Sequence, residues 1–106
     1  GRIEGMIDNM DSVDQAIDII LDTNRYEEII YPDWFGNELY TLIGQNKPYV
    51  ESEVERMIKE ALAVDDRITD VMDFLILDGE EEDEMVVRFK VITIFGDIEK
   101  VKNVRR

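Results

Sequence analysis

Asp65, Asp66 and Arg67 stand together where an amphipathic helix is expected to end and a strand to begin. A helix C-terminus carries partial negative charge and favours cations, so two aspartates there are a local misfit. Local rules tend to be broken where a site is being built. Arginine offers a rigid fork of donors and is favoured at interfaces. The chemistry suggested by this triplet is recognition of another protein by a turn that presents Arg67 beside a carboxylate. The competing reading is a solvated turn with an internal Asp–Arg pair of little energetic weight.

Other chemistries are poorly supplied. The chain has no His and no Cys, which removes the usual general bases, thiol nucleophiles and metal ligands. Two carboxylates could hydrolyse a glycoside if they stood roughly 5–10 Å apart across a cleft. Glu27–Glu28 and Asp65–Asp66 are sequence neighbours, which does not put them across one, and among 26 acidic residues some pair always meets that spacing. The run from Asp78 to Glu84 lacks the alternating ligands and turn glycine of an EF-hand loop, and reads as a solvated hairpin tip. No catalytic, cofactor-binding or metal-ligating residue is assigned. In the aromatic turn from Tyr31 to Gly36, Trp34 and Phe35 either bury themselves in the core, as aromatic rings usually do, or anchor an interface.

The elements that must position these residues follow from periodicity. Val13, Ala16, Ile17, Ile20 and Leu21 recur on one helical face, with Asp11 or Ser12 as the N-cap and Thr23-Asn24 as the end. Residues 25–32 fit a strand or a short helix, interrupted by Pro32. Leu39, Leu42 and Ile43 suggest a short helix closed by Gly44. Val54, Met57, Ile58, Ala61 and Leu62 define a second helix from about Glu51 to Ala63. Ile68 to Asp78 reads as extended. Met85 to Phe95 reads as a strand with Met85, Val87, Phe89, Val91, Thr93 and Phe95 on one face. A turn at Gly96-Asp97 leads to a final strand from Ile98 to Val104. The fold class is α+β: two amphipathic helices and a short helix on a small, mainly antiparallel sheet built largely by the C-terminal half.

Composition narrows the partners. A chain of 106 residues is expected to form one domain over residues 1–106. Its net charge of −14 disfavours nucleic acid and anionic membrane, and favours basic protein surfaces. No apolar run approaches the ~20 residues of a membrane span. The chain begins at Gly1 and not at Met. Residues 1–9 are therefore expected to be an extended arm, the remainder of a longer N-terminus.

Read together, these segments resemble the small baseplate-wedge protein of contractile phage tails, a lysozyme-like wedge family. Its relatives occur in phage-tail-like bacteriocins, PBSX-type prophage particles and type VI secretion baseplates. The resemblance rests on Ala16 to Tyr26, which holds a Leu-x-Thr segment and the nearby Arg25. It also rests on Ile30 to Leu39 with its Phe35-Gly36 turn, on Leu42-Ile43-Gly44, on Asp65-Asp66-Arg67-Ile68, and on Thr93 to Ile98. It covers nearly the whole chain and is nearest to the PBSX-type branch. Asp65-Asp66 depart from the Glu-Pro of the wider family, while Arg67 is retained.

The resemblance implies a structural subunit with no cofactor. It would bind other wedge proteins and initiate growth of the tail sheath. Asp65, Asp66, Arg67, Ile68, Arg25, Trp34 and Phe35 would make the partner-binding surface. The late strands, residues 85–104, would offer an edge to a strand of the sheath subunit, with Met85 to Phe95, apolar on both faces near its end, as a lone strand at the sheet margin. Lys100, Lys102, Arg105 and Arg106 would give that edge a positive end. Assembly in the bacterial cytoplasm and residence in a phage or phage-like baseplate follow. Some family members carry a lysozyme-like label, which no residue pattern here supports. A reading from another class is a soluble inhibitor or anti-adaptor on the same fold. A wedge protein co-purifies with tail proteins and a regulator does not.

Overall fold

The computed structural model describes residues 9–27 and 31–105. The expected arm lies outside these residues except for Asn9. The cap of α1, Met10–Asp22, is Asn9, whose Oδ1 accepts a hydrogen bond from Ser12 N at 2.9 Å. The expected caps, Asp11 and Ser12, are instead residues of the first turn. Asn9 satisfies an orphan N–H there, and Asp11 faces the positive end of the helix dipole. Ser12 keeps its hydroxyl for a bond outside the helix. Val13, Ile17, Ile20 and Leu21 are the buried face. Thr23 closes the helix, donating its hydroxyl to Ile19 O at 2.6 Å.

Of the segment that fitted a strand or a helix, residues 25–27 form a turn, and residues 28–30 lie outside the described residues. The following loop returns to α1 through Asn37, which is buried. Its Nδ2 donates to Ile20 O, Leu21 O and Thr23 O at 2.8–3.1 Å, the carbonyls that a helix end leaves orphaned. Gly36 lets this happen. Its φ is +92°, and a Cβ there would stand 2.6 Å from Thr23 O.

A 3₁₀ turn, Leu39–Leu42, stands where the short helix was expected. The second helix, α2, is Lys47–Leu62 and starts one turn before Glu51. Asn46 Oδ1 accepts from Tyr49 N, and Pro48 lies within the first turn. Proline suits that position because its missing N–H had no partner there and its φ is already helical. Val50, Val54, Ile58, Ala61 and Leu62 are buried, each contributing about 1.5–3 kcal/mol if large and aliphatic.

The sheet is an antiparallel meander in the order β1-β2-β3: Ile68–Asp78, Glu84–Thr93 and Gly96–Arg105. The helices pack on one face, α1 towards β3 and α2 towards β1. The fold is α+β, as expected. Met85, Val87, Phe89, Val91 and Thr93 point into the core. Phe95 does not join them, because Ile94 and Phe95 form the two-residue turn between Thr93 and Gly96. The expected lone strand at the sheet margin is corrected too. β2 is the central strand, paired along both sides, and the margins belong to β1 and β3. β1 carries irregularities on either side of Asp70–Met72, with Asp73 at φ 59°, whereas β3 runs in unbroken register.

Among the described residues, the basic side chains near the C-terminus do not form an open positive end. Lys100 Nζ lies 2.6 Å from Asp14 and 2.7 Å from Asp18, and Lys102 Nζ lies 2.8 Å from Asp22. Three aspartates spaced four residues apart on α1 thus meet two inward-pointing lysines of β3. Arg105 pairs with Glu84 at 2.7 Å, and Arg106 lies outside the described residues. Burial works against the charge on Lys100, but the hydrogen bonds it donates to Asp14 and Asp18 outweigh it and hold its pKa above the usual lysine range.

Lys100→Met is expected to cost about 1–3 kcal/mol, since it leaves two carboxylates without their donor. Lys90→Met removes a looser pair with Asp73, at 3.5 Å, and is expected to stay within about 0.5 kcal/mol. Urea unfolding of the two variants checks this, and equal losses would contradict it.

Candidate functional site

Arg67 joins elements that are far apart in sequence. α2 ends at Leu62, and the chain turns with Asp65 N donating to Leu62 O and Ile68 N donating to Asp65 O, both at 3.1 Å. Asp65 Oδ1 accepts from Arg67 N at 3.0 Å and from Arg67 Nε at 2.9 Å, while Oδ2 accepts from Nη2 at 2.7 Å. Arg67 Nη1 donates to Ser12 Oγ on α1 at 3.0 Å, and Arg67 O accepts from Ile94 N in the β2–β3 turn at 2.9 Å. One residue ties the start of α1, the end of α2, the start of β1 and the far hairpin.

This geometry resolves the local misfit. Asp65 lies beyond the C-cap Ala63, and the Arg67 guanidinium offsets its charge beside a helix end whose last turn already carries Lys59. The short aspartate side chain reaches the guanidinium with both oxygens, and its bond to Arg67 N holds the backbone of the turn. The hydrogen bonds from the Arg67 side chain hold the Asp65 carboxyl below the usual carboxylate range, against the opposing effect of burial.

Beside the turn lies an open groove of about 620 Å³. Its walls are Asp65, Asp66, Arg67 and Val64 on one side and Trp34 and Phe35 on the other, with Ala16, Ile19 and Ile20 of α1 between them. The two aromatic residues divide their roles. Phe35 packs on the core and stacks on Tyr31 at 4.4 Å, whereas Trp34 is 57% exposed. Asp66 is exposed, so the rim carries a carboxylate beside the neutralised Asp65–Arg67 pair. Ile19 and Val64 are exposed apolar residues on the same groove.

Five of the seven expected site residues, Asp65, Asp66, Arg67, Trp34 and Phe35, line this groove. Ile68 does not; it packs on the core at the start of β1. Arg25 also lies apart. Its guanidinium donates to Gly36 O at 3.1 Å and reaches Glu38 and Glu60 at 3.4 Å, which clamps the aromatic loop to α2. Ser12, Ile19 and Asn37 were not among the expected site residues, Ser12 being expected only as a possible helix cap. Ile19 offered a signal, being an isoleucine off the apolar face of α1. Ser12 and Asn37 offered none, because a polar residue's long-range partner leaves no local pattern. Among the described residues, no group of three acidic side chains is arranged to hold a metal ion. No described helix is long and apolar enough to cross a membrane.

The family model for contractile injection system sheath initiators matches residues 1–96. The phage-like element PBSX protein XkdS of Bacillus subtilis (strain 168) is 37% identical over 103 residues, covering 93% of this chain and 72% of that protein. A solved structure described as a tail lysozyme, from Geobacter sulfurreducens, matches with a TM-score of 0.70 over 90% of this chain and 88% of that one. Its sequence identity is 21%, so this likeness is one of fold.

Arg67→Ala is expected to destabilise the domain by about 1–3 kcal/mol, because it strips Asp65 and Ser12 of a charged donor. The Asp65 contribution has a definite pH sense. Its folded pKa is depressed, so the stabilisation is complete above the unfolded value of about 4 and is lost as pH falls through the folded value. Acid unfolding should therefore begin at higher pH in Asp65→Asn than in the parent chain. Superimposable acid melts would contradict the assignment.

Proposed function

The chain belongs to the contractile injection system sheath initiator family, and from its structural role in the tail baseplate we propose that it is a wedge subunit that docks other wedge proteins and starts the sheath. The observation that carries this reading is the groove between the Arg67 turn and Trp34, where the exposed apolar residues Ile19, Trp34 and Val64 lie together. A groove of this kind suits an amphipathic helix whose apolar stripe enters it, with a basic residue beside Asp66. Arg67 shapes the wall, and Trp34 is the anchor of the kind that dominates interface energy. The function is binding and assembly, and no residue of the groove is assigned to catalysis.

Sheath growth would start at the open edge of β3, which among the described residues pairs only with β2. Its register is regular and it contains no Pro, so it can accept a strand. β1 is the less suitable margin because its irregular ladder bends the edge. In this reading the chain acts as one wedge domain over residues 1–106. It assembles in the bacterial cytoplasm and remains in the baseplate of a phage or phage-like particle.

Ile19→Glu is expected to leave the melting curve within about 0.5 kcal/mol and to weaken association with wedge proteins by about 30-fold or more. Co-purified baseplates of normal composition around a folded Ile19→Glu chain would overturn the groove assignment. The edge is tested separately with Ile98→Pro and Glu99→Pro. Alternate residues of an edge strand point their N–H to the neighbour and to the open side. The variant of the two that stays folded should form baseplates that carry no sheath. Full-length sheaths on those baseplates would overturn it.

A further inference from the structure

The face of the sheet turned away from the helices carries a second apolar surface, separate from the groove. Leu75 and Leu77 of β1 are 47% and 44% exposed, and Val101 of β3 is 60% exposed. Arg88 stands between the strands, with Leu75 opposite on one side and Val101 opposite on the other. Leu75, Arg88 and Val101 line a groove of about 430 Å³ together with Asp73, Lys90 and Glu99, and Leu77 extends the apolar surface beyond it.

Arg88 is unlike the other described arginines. Arg25, Arg56, Arg67 and Arg105 each pair with a carboxylate. Arg88 has no ion pair or hydrogen bond from its side chain among the described residues. That is unexpected in a chain with 26 acidic and 12 basic residues. Neighbouring Lys90 is already matched by Asp73. An unmatched arginine flanked on each neighbouring strand by an exposed aliphatic side chain is half of a charge-complementary contact.

We propose that this outer face docks an amphipathic α-helix of another particle protein, with a carboxylate in its apolar stripe that pairs with Arg88. The dimensions suit one helix. Three strands about 4.8 Å apart present a strip roughly 10 Å wide, and a ladder of ten residues runs for about 33 Å. A helix is about 10 Å across and covers that length in about 20 residues. A second copy packed face to face about the centre would bring Arg88 against Arg88, which disfavours it. The proposal is independent of the groove and of the β3 edge, so either can fail without the other.

The test uses tail particles assembled with the full chain. Arg88→Glu should melt as the parent does, because Arg88 is exposed, yet its incorporation into particles should fall by about tenfold or more. Particles carrying Arg88→Lys, treated with a carbodiimide, should yield an amide bond from position 88 to an Asp or Glu in a helical apolar stripe of another protein. Reversing that acid to Lys should restore incorporation of Arg88→Glu. Normal incorporation of Arg88→Glu would overturn the proposal. So would bonding of position 88 only to this chain or its copies, or to no protein at all. If Arg88→Glu fails to fold, Leu75→Gln and Val101→Gln replace it with the same expectation.

Discussion

The contact between Arg67 and Asp65 is the constraint on which the rest of the arrangement depends. An acidic pair after a helix is unfavourable by itself, because the helix end is already negative. Arg67 neutralises Asp65 and, through Ser12 and Ile94, makes the same turn a junction of α1, α2 and the hairpin. The groove exists because that junction holds the turn open against α1 while Gly36 and Asn37 hold the aromatic loop on its other side. The departure from Glu-Pro at Asp65-Asp66 leaves this logic intact. A proline would fix φ covalently; here a hydrogen bond from Arg67 N to Asp65 holds the turn instead.

The same principle governs the rest of the charge. With 26 acids against 12 bases, most carboxylates must stay in solvent, and several of the few cations are placed where they hold elements together. Lys100 and Lys102 fasten β3 to the acidic stripe of α1, Arg105 ties β3 to β2 at one end of their ladder, and Arg25 holds the aromatic loop to α2. Inward-pointing lysines on an edge strand also discourage indiscriminate pairing.

Local patterns made the helices and the inward face of β2 legible. Val13, Ile17 and Ile20 recur at the helical period, and Met85, Val87 and Phe89 alternate at the strand period. Caps and ends were less legible, because Asn9 and Asn46 precede the apolar pattern instead of belonging to it. Strand order was misread for a physical reason. β2 is apolar on both faces near its end because it is central, and the same pattern was taken for an exposed margin. The triplet was read correctly as unusual, yet Arg67 turns its donors inward to a serine 55 residues away, which no local spacing reveals. The pairing of Lys100 and Lys102 was illegible for a similar reason, since their aspartate partners lie on α1, 80 or more residues away.

The account stands on the groove being the surface that meets the wedge. A photo-crosslinking benzoylphenylalanine in place of the exposed Trp34, compared with the same residue in place of Glu51 on the exposed side of α2, tests this in assembled particles. The account predicts that position 34 joins a helical segment of another baseplate protein and that position 51 does not. Cross-links from position 51 with none from position 34 would contradict it.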